Sequence, residues 1–323
     1  MQLKRFTAIG GSKEPPVTGR RTTSRLLNRL LVPFLLLLPS LAPAQTISFT
    51  FDDGFDPRKE PAAASLNAEL LAGLARHRVT SMLFPAGRNV DTEEGRNLVT
   101  EWSRAGHAIG NHTFSHRSLG AKTMSLAEFT TDVQELERMF SGFPGWTPRL
   151  RFPYLKEGDT AEKRDGMRAW MKEHGYKPAP VSIDTSDWYY NQRYQQLLNA
   201  GPSDQIPKLR QAYLDHLKDR AMYYDGLAKT VLSRRPSHVI LLHTNALNAA
   251  FIGDVIEMFR SLGWSVVSPS AAFADPLYSK EPRTLPAGES ILWALASDAG
   301  VKDLRYPAED GEYEKPILDK LGL

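Results

Sequence analysis

Cysteine is absent from all 323 residues, which removes disulfides, thiolate metal sites and cysteine nucleophiles and leaves the redox compartment unread. A strong charge of either sign is lacking too. The formal net charge is +3, but residues 1–45 hold seven Lys/Arg against one Glu, so the rest carries 33 basic and 36 acidic residues, about −3. With no long basic run after residue 45, nucleic acid is not an expected partner. Long hydrophobic runs are also missing. The apolar stretch over residues 30–41 is about twelve residues long and broken by Pro33 and Pro39, too short for a hydrocarbon core that needs roughly twenty. No internal repeat or low-complexity tract is present.

That short run has another reading. Arg20, Arg21, Arg25 and Arg29 precede it and Ala42-Pro43-Ala44-Gln45 follows it, the layout of a cleavable signal peptide with cleavage after Ala44. The expectation is export to the periplasm or the extracellular space, with no stable membrane span once residues 1–44 are removed.

The body alternates apolar strand-like stretches (46–51, 81–86, 107–110, 150–152, 178–183, 238–243 and 265–268) with helical patterns, which argues an α/β domain with a parallel sheet. The clearest helix follows Ser125-Leu-Ala-Glu128, a capping box, with Leu126, Phe129, Val133, Leu136 and Phe140 at helical spacing. Others are expected over 160–174 and 248–262, stopped by Gly175 and Gly263. Residues 189–237 read as an insertion, Tyr- and Gln-rich at first and helical from about 204 to 234. The Pro-punctuated stretch 276–323 reads as an irregular C-terminal extension packed on a 45–275 domain.

Chemistry-bearing residues collect at the ends of these strands, the edge where parallel barrels assemble active sites. Thr50-Phe51-Asp52-Asp53-Gly54 ends the first. Alone, Asp-Asp-Gly is a turn signal more often than a site. If it is a site, adjacent carboxylates on a strand point to opposite sides unless the backbone turns, and they are poorly placed to flank a sugar as a glycosidase pair. A metal ligand and a general base is the better division. His112-Thr113-Phe114-Ser115-His116 offers two imidazoles that a helical turn would bring to one face, and with one carboxylate they make a three-ligand set that leaves a position open, as catalytic metal sites do. Thr113 stands where a zinc-peptidase helix needs Glu. Arg151-Phe152-Pro153-Tyr154, Asp184-Thr-Ser-Asp187-Trp188 and Leu241-Leu242-His243 complete the group, though each could singly be a salt bridge, a cap or a buried histidine.

In this order the five motifs resemble the polysaccharide deacetylases of carbohydrate esterase family 4, the NodB homology domain, over residues 46–270. The resemblance implies a distorted (β/α) barrel of about seven strands, here with the helical insertion and the tail. It implies Asp52 as catalytic base, with Asp53, His112 and His116 as ligands of a divalent metal, usually zinc and sometimes cobalt or another first-row ion. Arg151 would orient the base, the Tyr154 amide would meet the oxyanion, His243 would be the acid and Asp187 its partner, and Trp188 and Leu241 would wall the acetyl methyl. The substrate class implied is an acetylated carbohydrate, N-acetyl or O-acetyl.

Two departures fall beside the site: Gly54 is followed by Phe55-Asp56-Pro57 where relatives commonly have Gly-Pro, and His116 by Arg117 where Pro is frequent. Neither removes a catalytic group; both bear on which substrate is taken. The rival readings are a hydrolase of a non-sugar amide and a carbohydrate-binding protein without activity. Oligomeric state is not legible in the sequence.

Overall fold

The computed structural model describes residues 45–201, 203–305 and 311–323; the signal-peptide expectation lies outside them. Nine short strands run in chain order: β1 (Thr46–Asp53), β2 (Met82–Pro85), β3 (Ala108–Asn111), β4 (Trp146–Leu150), β5 (Lys156–Gly158), β6 (Lys177–Pro178), β7 (His238–His243), β8 (Ser265–Val266) and β9 (Ala287–Gly288). Around them lie α1 (Ala63–Arg76), α2 (Gly87–Val90), α3 (Glu93–Arg104), α4 (Leu126–Phe140), α5 (Ala161–Glu173), α6 (Asp187–Asn199), α7 (Ile206–Leu232), α8 (Ala246–Ser261), α9 (Pro269–Ala272), α10 (Ile291–Asp298) and α11 (Gly311–Lys320).

Seven strands form one parallel sheet in the order β6-β4-β3-β2-β1-β7, with β8 also on β1. The sheet nearly closes. Ala179 N–H donates to Leu150 O at one edge, while Ile183 bridges Ile240 at the other and Leu241 N–H donates to Ile183 O. Residues 177–183 thus touch both edges and complete the distorted barrel expected from the motifs. β1 shows why it packs. Phe49 and Phe51 turn outward onto Phe259 of α8 and Trp102 of α3, at ring separations of 5.8 and 5.4 Å. The alternate positions Thr50 and Asp52 face inward to Arg151. A strand covered on both faces suits a parallel sheet.

Local signals account for most helix starts. In α4 Ser125 Oγ accepts from the Glu128 N–H and the Glu128 carboxylate accepts from the Ser125 N–H, the anticipated capping box. Asn245 caps α8 and Thr160 caps α5 by the one-way bond alone, their side-chain oxygens accepting from the Asn248 and Lys163 N–H. β4 begins earlier than expected and ends at Leu150, so that Arg151 stands just past the strand. The Tyr-rich stretch after Asp187 is itself a helix, α6, with Tyr189 and Tyr190 buried in packing. The C-terminal extension is more regular than its prolines suggested. β9 pairs with β5, α10 packs on α7, and α11 buries Leu318 fully. Among the described residues no helix is long and apolar enough to cross a membrane.

Candidate active site

Asp52 and Asp53 leave β1 at the carboxyl edge of the sheet, and Asp53 adopts φ 82°. That left-handed turn, costly for a residue with a Cβ, is what brings two adjacent carboxylates to one centre. His112 Nε2 lies 3.6 Å from Asp52 Oδ2 and 3.8 Å from Asp53 Oδ1, and His116 Nε2 is 3.2 Å from Asp53 Oδ1. The expected helical turn over 112–116 is not there. Thr113 and His116 have positive φ (62° and 56°), and the segment is a loop folded by its own polar side chains. Asn111 Oδ1 accepts from Thr113 N–H, Thr113 Oγ1 accepts from His116 N–H, and Asp132 accepts from both the N–H and the hydroxyl of Ser115. The two rings still converge, 4.9 Å apart.

The donor set suits a cation. One ligating atom each from Asp53, His112 and His116 falls within 4.8 Å of the others. His112 Nδ1–H donates to Arg151 O at 2.8 Å, which leaves the Nε2 lone pair facing Asp53. Burial holds the pKa of His112 well below the usual value, and that of His116 below it, so both imidazoles are neutral. Burial pushes the Asp53 carboxyl up, but the positive charge of His243 first, with Arg88 and the nearby imidazole rings, outweighs it and the net shift is downward. Asp53 Oδ1 is buried with no hydrogen-bond partner. An orphaned carboxylate oxygen facing two neutral imidazoles is costly unless a positive charge sits among them, and a divalent ion fits that need.

Asp52 has a different setting. Arg151, wholly buried, donates from NH1 to both carboxylate oxygens (3.1 and 3.2 Å), from Nε to Ala179 O (2.6 Å) and from NH2 to Thr50 Oγ1 (3.0 Å), and it lies over the Phe84 ring. Burial raises the Asp52 pKa to about 6 despite Arg151 and His243. Opposite stands His243, at the end of β7 and in register with Asp52. Its Nδ1–H donates to Asp187 Oδ1 at 2.7 Å and its backbone N–H to Asp187 Oδ2 at 2.8 Å. Burial alone would lower the imidazole pKa, but Asp187 above all, with Asp53 and Asp52, raises it to about 10.

Sequence reasoning missed the clamp beneath Asp187. Asn245 and Asn248 both donate to Asp187 Oδ2, at 3.0 and 2.7 Å. Their spacing marks a helix cap and says nothing of a partner some sixty positions upstream. Asp132 was likewise hidden within α4. On the remaining side Tyr154, at φ 57°, places its ring 4.8 Å from His116 while 60% exposed; Leu241 lies two residues before His243 in β7, and Trp188 follows Asp187 at the start of α6. The structure therefore gathers the Asp, His and Arg residues predicted from sequence around one centre.

The polysaccharide deacetylase family model matches residues 41–179. Peptidoglycan-N-acetylmuramic acid deacetylase PdaA of Bacillus subtilis is 32% identical over 271 residues, covering 84% of each chain. The chain belongs to the polysaccharide deacetylase family. A peptidoglycan-N-acetylglucosamine deacetylase of Bacillus cereus is 33% identical over 143 residues, 44% of this chain and 47% of that one, so this deacetylase-family chain spans about half the length of that relative. Among solved structures, a mutant of a carbohydrate esterase family 4 pseudoenzyme superposes with a TM-score of 0.51 at 16% identity, covering 71% of this chain and 67% of the other, a likeness of fold.

Proposed function

We propose that the protein is an exported, metal-dependent deacetylase that removes acetyl groups from an N-acetylated glycan. The observation that carries this reading is the pairing of a three-ligand set, Asp53, His112 and His116, with a separate base and acid on the ends of the neighbouring strands β1 and β7, Asp52 and His243. The names of its relatives, which include peptidoglycan and chitin deacetylases, support an acetylated polysaccharide as substrate. The basic, apolar and small-residue pattern of residues 1–44 supports export.

A divalent ion, zinc first and cobalt or another first-row ion as substitutes, would be held by Asp53, His112 and His116 and would polarise the acetyl carbonyl and acidify water. Asp52, ionised above about pH 6 and aimed by Arg151, removes a proton from the attacking water. As negative charge grows on the acyl oxygen, the Tyr154 N–H, which has no hydrogen-bond partner among the described residues, is a free backbone donor for it. His243, charged through Asp187, then gives its Nε2 proton to the departing amine. Trp188 and Leu241 wall the acetyl methyl.

The test is acetate release from a panel of acetylated glycans by the purified protein, before and after chelation and after zinc or cobalt is restored. Release that disappears with chelator and returns with metal is expected. No release from any N-acetylated glycan by the metal-loaded protein would sink the proposal.

A further inference from the structure

The turn after β2 is stitched to both ligand loops. Ala86 N–H donates to Asp53 O (2.9 Å), Gly87 N–H to Thr113 O (3.0 Å) and Arg88 N–H to Phe114 O (2.7 Å). Gly87 is required by this closeness, because a Cβ there would fall 2.8 Å from Phe114 Cα. Arg88 is held from its other side as well: Arg58 donates to the Arg88 carbonyl. Arg58 is itself fixed by Asp56 at 2.8 Å and Asp91 at 2.9 Å, and Asp56 belongs to the Phe55-Asp56-Pro57 departure. The departure therefore has a structural consequence, which is to pin the Arg88 backbone at the rim of the site.

The Arg88 side chain is exposed and its guanidinium makes no hydrogen bond or ion pair among the described residues. Of the acids near its turn, Asp56 and Asp91 are engaged with Arg58 and Asp132 with Ser115, and Asp53 feels the Arg88 charge without forming an ion pair with it. A guanidinium fork of fixed root, free of hydrogen bonds and ion pairs among the described residues while its charge reaches Asp53 and His116, is suited to a planar anion in two-pronged fashion. Arg117 differs. It also borders the ligand loop, but its Nε is tied to Ser115 Oγ at 3.2 Å and its charge acts on Glu128 of α4.

We infer that Arg88 selects the substrate of this site by pairing with a carboxylate on the sugar, so that the preferred glycan is an N-acetylated one bearing an acidic substituent. The inference rests on the deacetylase reading above. A charge-assisted hydrogen bond of ordinary strength gives a preference of about tenfold or more.

The test compares an N-acetylated tetrasaccharide carrying one carboxylate per disaccharide with the same compound after its carboxyls are converted to amides. Wild type should show a kcat/KM ratio of about ten or more for the acid, carried mainly by KM. Arg88→Gln should bring the ratio near one, Arg88→Lys should restore part of it, and Arg117→Gln, which removes the same charge close by, should keep it. Dissociation constants of both probes for Asp52→Asn should show the same ratio without turnover. A wild-type ratio near one, a ratio kept in Arg88→Gln, or an equal loss in Arg117→Gln would overturn the assignment. If wild type releases acetate from neither probe, the deacetylase reading fails, and the dissociation constants alone decide whether Arg88 reads the carboxylate.

Discussion

Replacing Asp187 by Asn keeps the size of the side chain and removes the charge beneath His243. Three donors, His243 N–H, Asn245 Nδ2 and Asn248 Nδ2, converge on Asp187 Oδ2, while Oδ1 accepts only from His243 Nδ1. In the variant the amide oxygen therefore stays with the three donors and the NH2 turns to His243. Nδ1 must then accept, which fixes the wrong neutral tautomer and withdraws the largest influence that raises the imidazole pKa. Burial, which lowers it, is left to act, and the pKa falls from about 10 to the ordinary 6.5 or below. At pH 8 an imidazole near 6.5 is about 3% protonated against about 99% near 10, whereas at pH 6 about three-quarters remains charged. The acid is thus lost mainly on the alkaline side: kcat should drop roughly twenty-five-fold more at pH 8 than is explained by its drop at pH 6. Acetate release across pH 5–10, with the imidazole nitrogens of His243 followed by NMR, reads both effects. A basic limb still near 10 in the variant would refute the reasoning.

Other expectations follow from the same contacts. Asp52→Asn should keep bound metal and lose turnover by a factor of about a hundred or more, whereas His112→Ala should lose both; metal content and acetate release separate the two, and full activity in Asp52→Asn would remove it as the base. In wild type the acidic limb should reflect Asp52, whose raised pKa of about 6 leaves the base protonated and idle below that pH and ionised above it; bound metal, a nearby positive charge, moves the limb lower, so a limb above 7 would contradict the assignment. Gly87→Ala should press on Phe114 and cost about 1–3 kcal/mol of stability by overpacking, with metal affinity falling alongside because Phe114 lies between His112 and His116; thermal denaturation with and without zinc measures both.

What was legible in the sequence was whatever is local or periodic. The capping box at Ser125 and Glu128 formed as read, β7 ends at His243 as expected, and the Asp52, His112, Arg151 and His243 motifs each sit at or just past the end of a strand. Features that depend on partners distant in sequence were not legible. Nothing near His112 announces that Asn111 and Asp132 will fold the following residues into a loop where spacing alone suggested a helical turn. The positive φ of Asp53 is held by its surroundings, with Ala86 and Asn89 donating to its carbonyl, and the general tolerance of Asp for left-handed backbone does not say which of the two adjacent Asp residues adopts it. The Tyr-rich segment concealed helix α6 because its aromatic residues face several neighbours: Tyr190 meets Tyr213 and His216, and Tyr194 meets Phe251. Such a helix shows no single clean apolar stripe.

The central claim is that Asp53, His112 and His116 hold a catalytic divalent ion beside Asp52. Its most direct test is anomalous diffraction at the zinc edge from crystals of the zinc-loaded protein. The account expects one strong peak bonded to Asp53 Oδ1, His112 Nε2 and His116 Nε2, with Asp52 still gripped by Arg151 and outside the coordination sphere. No peak there, or a peak ligated by Asp52 in place of Asp53, would contradict it.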